Sequence, residues 1–337
     1  MFTLLHNRPL LVTVLALAAT AVSPASALAA STTTTSTATP APAPAAGGSL
    51  RLYLRGVFFV NGHAVTIPRR TLHIEGVVRP YVAGQSVTLR ALLGHRLFAT
   101  RTLTISPSRN GNYGSFSAAL SSPRTGSVSV QVTHAGTSAL GVLHASRSFA
   151  ALEERVGFGS IGRFVQLVQQ RLAALHVYVP RTGAYDQGTG LALDAYHRLL
   201  GWGTYQGIDG RTIRYLLNGW GAFRVRYPHH GRHAEGDLGK QLVALIDGGR
   251  VDLIFPLSSG KPSTPTVLGD FHVYRRVPGY LPDGMYDSSF FVGGYAIHGY
   301  DPAPDYPASH GCIRLPITDA VTAYNWLNFG DWVDVYY

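Results

Sequence analysis

Cys312 is the single cysteine in 337 residues, and it stands in the run ASHGCIRLP, two places after His310 and fourteen after His298. A cysteine thiol has a pKa of about 8.5, so it is mostly protonated at neutral pH, whereas the thiolate is the nucleophile. An imidazole within hydrogen-bonding reach takes that proton and leaves a sulfur that attacks acyl carbon. His298 is the expected base, because the intervening residues provide enough chain for a strand, a loop and a return. An extended backbone would turn His310 to the face opposite Cys312, which makes His310 a supporting polar group. Gly311 removes a Cβ beside the thiol and lets the turn adopt unusual angles. The backbone N–H groups of Gly311 and Cys312 are candidates to converge on an oxyanion. The chemistry so specified is acyl transfer through a thioester.

Two other uses of these groups fit less well. A zinc site from His298, His310 and Cys312 would need an oxygen ligand such as Asp301 or Asp305, and thiol-containing structural sites usually carry several cysteines. No metal or other cofactor is therefore expected. A papain-like peptidase uses the same pair with the cysteine earlier in the chain than the histidine, and here the order is reversed.

The elements that must position these residues lie in the last hundred positions, expected as one domain over 237–337. KQLVALIDGGRVDLIFPLSSGK reads as a strand, a Gly-Gly turn and a second strand, and STPTVLGDFHVYRRV as a loop and a further strand. YLPDGMYDSS is hairpin-like and contains Tyr286, placed either to line a substrate groove or to join the core. YAIHGY is an apolar strand ending at His298, followed by the acidic, proline-rich loop DPAPDYP and the turn that carries Cys312.

Upstream, two different periodicities appear. From about 49 to 150, short alternating runs such as TLHIEGVV, SVTLRALL and SVSVQVTH recur between turn residues, the pattern of an antiparallel, immunoglobulin-like β-sandwich acting as a spacer. Its scattered histidines, His63, His73, His95, His134 and His144, lack a ligand spacing. From about 153 to 220 the period becomes helical. Phe164, Leu167, Val168, Leu172 and Leu175 share one face, and Leu191, Ala195, Tyr196, Leu199 and Leu200 share another. Asp186 and Asp209 are placed to cap the second helix and a third, short one. Residues 221–236, with HHGRH, read as a solvated basic linker.

The quoted motifs VDLIFPLSSGKPSTPTVLGDF, AIHGY and ASHGCIRLP together resemble the L,D-transpeptidase family of the YkuD type. The resemblance implies a β-rich catalytic domain with the cysteine on a loop at its rim, Cys312 as nucleophile and His298 as base. It also implies that the backbone carbonyl of Gly299 orients the imidazole. Ser309, His310, Gly311 and Arg314 match the family's turn, with Ser309, Arg314 and Tyr286 as substrate-contacting candidates. An arginine there suits a donor carboxylate, since a guanidinium pairs with it bidentately. The family's reaction would be attack on a peptidoglycan tetrapeptide stem, release of D-alanine, and resolution of the thioester by a second stem's amine to give a 3→3 cross-link. Water as acceptor would give L,D-carboxypeptidase activity, and carbapenem β-lactams would acylate the same sulfur. A non-catalytic cell-wall-binding protein is the remaining alternative. Two departures stand out: only ten residues separate His298 from Ser309, which implies a reduced lid, and Arg314 stands where some members have asparagine. Similarly, LVQQRLAALHVYV, TGAYD, LDAYHRLLG and GIDGRT resemble the small three-helix peptidoglycan-binding module of bacterial cell-wall enzymes.

The head of the chain and its charge fit that setting. Arg8, an apolar run from Leu10 to Val22 and the small-residue stretch after Pro24 read as a secretory signal over 1–29, with an uncleaved anchor as the alternative. Residues 30–48, rich in Thr, Ala and Pro, read as a solvated tether. The formal charge of +10 suits an anionic cell wall. The basic residues are scattered and carry no nucleic-acid-binding signature. The expectation is therefore a secreted, multidomain, mainly β protein: a sandwich, a three-helix module and a β-rich catalytic domain.

Overall fold

The structure, a computed structural model, describes residues 47–337. The signal expected at 1–29, and all but the end of the tether expected at 30–48, lie outside the described residues. The described residues are mainly β, with four helices.

The first ten strands are β1 (Ser49–Arg55), β2 (Phe58–Val60), β3 (His63–Thr66), β4 (Leu72–Arg79), β5 (Ser86–Leu93), β6 (Arg96–Thr104), β7 (Ser106–Pro107), β8 (Gly114–Leu120), β9 (Gly126–His134) and β10 (Leu143–Ala151). They form two sheets, ordered β1-β4-β8-β7 and β2-β3-β10-β9-β5-β6. The alternation read from the sequence buries one face of β4, β8 and β9, whereas β6 and β7 carry no buried residue. Leu72, Ile74 and Val78 of β4 and Val128, Val130 and Val132 of β9 meet in a shared apolar core. One pairing departs from the all-antiparallel expectation: β10 runs parallel to β3, with Ala150 opposite Val65 and Ala151 opposite Thr66. The chain leaves the sandwich along that seam into the helical segment. Of the scattered histidines only His134 is buried, and its Nδ1 accepts from the Gly136 N–H at 3.1 Å.

Three helices follow, α1 (Arg163–Ala174), α2 (Gln187–Leu199) and α3 (Gly210–Asn218). Asp186 caps α2 by accepting from the Thr189 N–H, and Asp209 caps α3 by accepting from the Thr212 N–H. Each cap satisfies one of the free donors that open a helix. The helices do not close a core of their own. Their apolar faces share one with Val60 and Val65 of the sandwich on one side, and with Leu242, Ala244, Ile246 and Ile254 on the other.

Those last residues belong to the C-terminal region, built from β11 (His233–Asp237), β12 (Leu242–Asp247), β13 (Arg250–Pro256), β14 (Gly269–His272), β15 (Arg275–Tyr280), β16 (Tyr286–Val292), β17 (Tyr295–Gly299), β18 (Ile313–Leu315), α4 (Ile317–Trp326) and β19 (Trp332–Tyr336). Two sheets result, ordered β13-β12-β11-β19-β14 and β15-β16-β17-β18. The Gly248-Gly249 turn joins β12 to β13 with both residues at positive φ, 55° and 75°, the backbone a two-residue hairpin loop requires. β12 is continuously apolar because it is covered on both sides. Leu242, Ala244 and Ile246 face the helices, while Val243 and Leu245 face the inter-sheet core.

Two expectations need correction. The linker assigned to 221–236 ends too late: His233–Asp237 is a central strand, antiparallel to β12 and parallel to β19. Nor is HHGRH solvated throughout: His229 and Gly231 are exposed, but His233 is fully buried. Its basic, Gly-containing sequence resembles a loop, but Glu235 and Asp334 supply the buried counter-charges that allow it into a sheet. STPTVLGDFHVYRRV holds two strands rather than one, β14 and β15, which lie in different sheets.

Candidate active site

His298 is the penultimate residue of β17, and β17 runs parallel to β18 with Ile297 opposite Ile313 and His298 opposite Arg314. Side chains in register on neighbouring strands share a face. Ile297, Ile313 and Leu315 point into the inter-sheet core, so Ala296, His298, Cys312 and Arg314 take the other face. Cys312, immediately before β18, packs with Ala296, Met285 and Phe290. The thiol and the imidazole therefore occupy diagonal positions on one sheet face.

Each group is fixed by its neighbours. The His298 Nδ1 lies 2.8 Å from the Gly299 carbonyl. A carbonyl only accepts, so Nδ1 carries the proton and Nε2 keeps its lone pair. Gly299 is held beneath α4, where a Cβ would come within 2.9 Å of Ala320 Cβ. Burial pushes the His298 imidazole down to about 4, and the Arg314 charge acts in the same direction. The Cys312 thiol is half-buried and points at the Gly294 carbonyl, 3.8 Å away. Burial pushes its pKa up, against the Ala296 backbone N–H and the Arg314 charge. Both groups thus rest neutral, with the proton on sulfur.

The turn is built by Ser309. Its hydroxyl donates to the Cys312 carbonyl at 2.6 Å and accepts from the Gly311 N–H at 3.1 Å. Gly311 sits at φ 121°, and a Cβ there would lie 2.1 Å from the Tyr295 ring, so glycine is needed on two counts. The sequence assigned that glycine to clearing the thiol's approach; the structure assigns the clearance to Tyr295. Two further expectations change. Ser309, taken as a substrate contact, is fully buried and holds the turn. The Gly311 N–H is already donated, which removes it from the donors expected to meet an oxyanion.

His310 is exposed and points away toward Lys261, with Nε2 and Nζ 3.1 Å apart. An ammonium so close is a poor neighbour for a second cation, which argues against the His298, His310 and Cys312 zinc arrangement. Among the described residues no three His, Cys, Asp or Glu side chains are grouped to hold a metal ion. The Arg314 guanidinium lies over the Tyr300 ring at 3.8 Å, and the Tyr300 ring meets His298 edge-on at 5.9 Å. No carboxylate pairs with Arg314 among the described residues. Tyr286 lies opposite Gly299 in the β16–β17 pairing and packs against the exposed Tyr280 at 4.6 Å.

Sequence reasoning missed Lys261 and Tyr300. Lys261 had a signal, being one of only two lysines in the chain, with Lys240.

Residues 231–335 match the family model of the L,D-transpeptidase catalytic domain, YkuD. The chain carries a YkuD-type L,D-transpeptidase catalytic domain. Among solved structures, the chain is similar to an L,D-transpeptidase from Xylanimonas cellulosilytica. That likeness has 29% identity over 55% of this chain and 98% of the other, with a TM-score of 0.49. An L,D-transpeptidase from Stackebrandtia nassauensis is 18% identical over 54% of this chain and 95% of its own, with a TM-score of 0.35. The Enterococcus faecium L,D-transpeptidase catalytic domain, solved acylated by ertapenem, is 27% identical over 32% of this chain and 97% of its own, with a TM-score of 0.28. No curated protein matches the chain.

Proposed function

We propose that the transpeptidase domain works as a cysteine acyltransferase on peptidoglycan stem peptides, with Cys312 as nucleophile and His298 as general base. The observation that supports this most is the placement of the thiol and an imidazole with a free Nε2 on one sheet face, where Gly299 fixes the tautomer. Because both groups rest neutral, the proton moves as the sulfur attacks rather than beforehand. The thioester C–S bond forms, the stem's C–N bond breaks, and His298 passes the thiol proton to the departing D-alanine amine. A second stem's side-chain amine then attacks the thioester, gives its proton to His298, forms the new amide of a 3→3 cross-link and restores the thiol. Arg314, free of an acidic partner and braced on Tyr300, is suited to a donor carboxylate.

The setting proposed is extracytoplasmic. A signal over 1–29 would export the chain, the tether and sandwich would extend it toward the wall, and net positive charge would favour that polyanion. Carbapenems would acylate Cys312, in the way that the Enterococcus faecium catalytic domain is acylated by ertapenem. The test is mass spectrometry of muropeptides after incubation with purified protein. Cross-linked dimers lost in Cys312→Ala support the reading. Tripeptides without dimers would make the protein an L,D-carboxypeptidase, and unchanged muropeptides would leave only wall binding.

A further inference from the structure

The nucleophile turn is hung from the stretch 257–260 that continues β13. The Ser258 N–H donates to the Arg314 carbonyl at 2.9 Å and its carbonyl accepts from the Arg314 N–H at 3.0 Å. The Ser259 carbonyl accepts from both Ala308 and Ser309, and the Ser258 hydroxyl donates to the Tyr306 carbonyl at 2.6 Å. Thus one segment holds both the loop after His298 and the turn before Cys312.

That segment is anchored from outside the transpeptidase domain. Arg198, in the last turn of α2, is buried, and its guanidinium donates to the carbonyls of Leu257 and Gln241, each at 2.9 Å. A further contact reaches the Asp305 carbonyl, in the loop between His298 and Cys312, at 3.4 Å. Asp194, one helical turn back and equally buried, pairs with the same guanidinium at 2.6 Å and accepts from the Tyr205 N–H at 3.0 Å. Burying an arginine costs several kcal/mol unless its donors are used. Here Nη1 serves the Leu257 and Gln241 carbonyls and Nη2 serves Asp194 and the Asp305 carbonyl, while Nε is buried without a partner.

We infer that Arg198, oriented by Asp194, is a positioning residue for Cys312: the helical module acts as part of the catalytic scaffold and sets the nucleophile turn through residues 257–260. This inference rests on Cys312 being the nucleophile. Its chemistry is geometric. A misplacement on the order of 1 Å, transmitted from outside the reacting atoms, can cost about 100-fold in rate.

The test uses the full chain and measures acylation of Cys312 by ertapenem, followed by intact-protein mass. The maximal acylation rate is separated from the half-saturating concentration, and the folded fraction is checked by near-ultraviolet circular dichroism. In Arg198→Met the maximal acylation rate per folded molecule is expected to fall about tenfold or more, with a small change in half-saturation. Arg198→Lys keeps the charge and one donor group and is expected to recover part of that rate. If Arg198→Met does not fold, Arg198→Lys carries the test. A rate lowered threefold or more in a folded protein supports the proposal, and a wild-type rate overturns it. A merely structural role would lower the melting temperature and leave the rate per folded molecule unchanged in both variants, which also overturns it. Failure of the unsubstituted protein to be acylated at Cys312 would overturn the nucleophile assignment and this inference with it. Normal labelling of the unsubstituted protein with unaffected variants would overturn this inference alone.

Discussion

His298 and His233 are both buried histidines on strands of the transpeptidase domain, and burial acts on them with opposite outcomes. His298 has one polar partner, the Gly299 carbonyl, and a cationic neighbour in Arg314, so desolvation wins and its pKa falls to about 4. His233 is at least as buried, yet the Glu235 carboxylate at 3.3 Å and the Gly231 carbonyl outweigh desolvation and raise its pKa. Glu235 feels the same burial, but donors from His233, Tyr336 and the Tyr227 and Arg226 backbones hold it below the ordinary carboxylate range. His230 extends the network to Asp334 at 3.1 Å and stacks on Trp332 at 4.6 Å. The first histidine is left with an unspent lone pair; the second has none to spare. Burial alone does not mark a working residue: what matters is whether its polar capacity is already consumed.

The largest expected separation between the two is in activity. Cys312→Ala should abolish cross-linking and carbapenem labelling, and His298→Ala should cut acylation by about 100- to 10,000-fold. His233→Ala should leave acylation per folded molecule near the wild-type rate, as measured by intact-protein mass over time. Full activity in His298→Ala would end the contrast.

Stability should show the reverse. Glu235→Ala strands the Tyr336 hydroxyl, the Arg226 and Tyr227 N–H groups and a buried imidazole. Breaking such a network costs about 3–5 kcal/mol, read as a lower urea midpoint. A loss below about 1 kcal/mol would show that the network is not holding the domain.

The pH dependence sharpens the same contrast. The His298 pKa is depressed from 6.5 to about 4, so its stability contribution is complete above pH 6.5 and lost as pH falls toward 4. The amount is on the order of 3 kcal/mol. Asp334, raised to about 6 by burial, opposes part of this loss by taking up a proton more readily in the folded state. The His298 share is therefore the difference between wild type and His298→Ala across that range in urea titrations. His233, with its raised pKa, contributes below the ordinary histidine value and loses that contribution as pH rises through the folded one. Parallel titration curves for wild type and His298→Ala would contradict the depressed value.

The smallest effect is expected at the turn. Ser309→Ala removes the acceptor for Gly311 N–H and the donor to the Cys312 carbonyl, a loss of about 1–3 kcal/mol. Acylation should slow modestly, by about tenfold or less, because Gly311 and the β18 register still present the thiol. An effect as large as that of His298→Ala would place the Ser309 hydroxyl in the reaction.

Much of this was legible beforehand, for reasons that differ by residue. The caps at Asp186 and Asp209 are local, set within three residues of the helix start, so sequence suffices. The Cys312 and His298 assignment follows from residue type, order and the motif around them. Even the Gly299 carbonyl's role was implied by the family pattern. Ser309 was misjudged because a serine beside a nucleophile looks the same whether its hydroxyl faces substrate or its own turn. Residues 233–236 were read as part of a linker because HAEG carries no apolar alternation; only Glu235 and Asp334, far apart in the sequence, make the strand's burial tolerable.

What the sequence determined by itself is the inventory: one thiol, one histidine at the end of an apolar strand, the periodicities, and the glycines that allow the turns. What only the tertiary structure decided is which polar groups are already spent. The parallel register of β17 and β18 puts thiol and imidazole on one face, Lys261 draws His310 away, and Arg198 of a helix ties itself to the segment that holds the Cys312 turn. Hydrogen-bonding capacity is consumed by partners distant in sequence, so no local pattern records it.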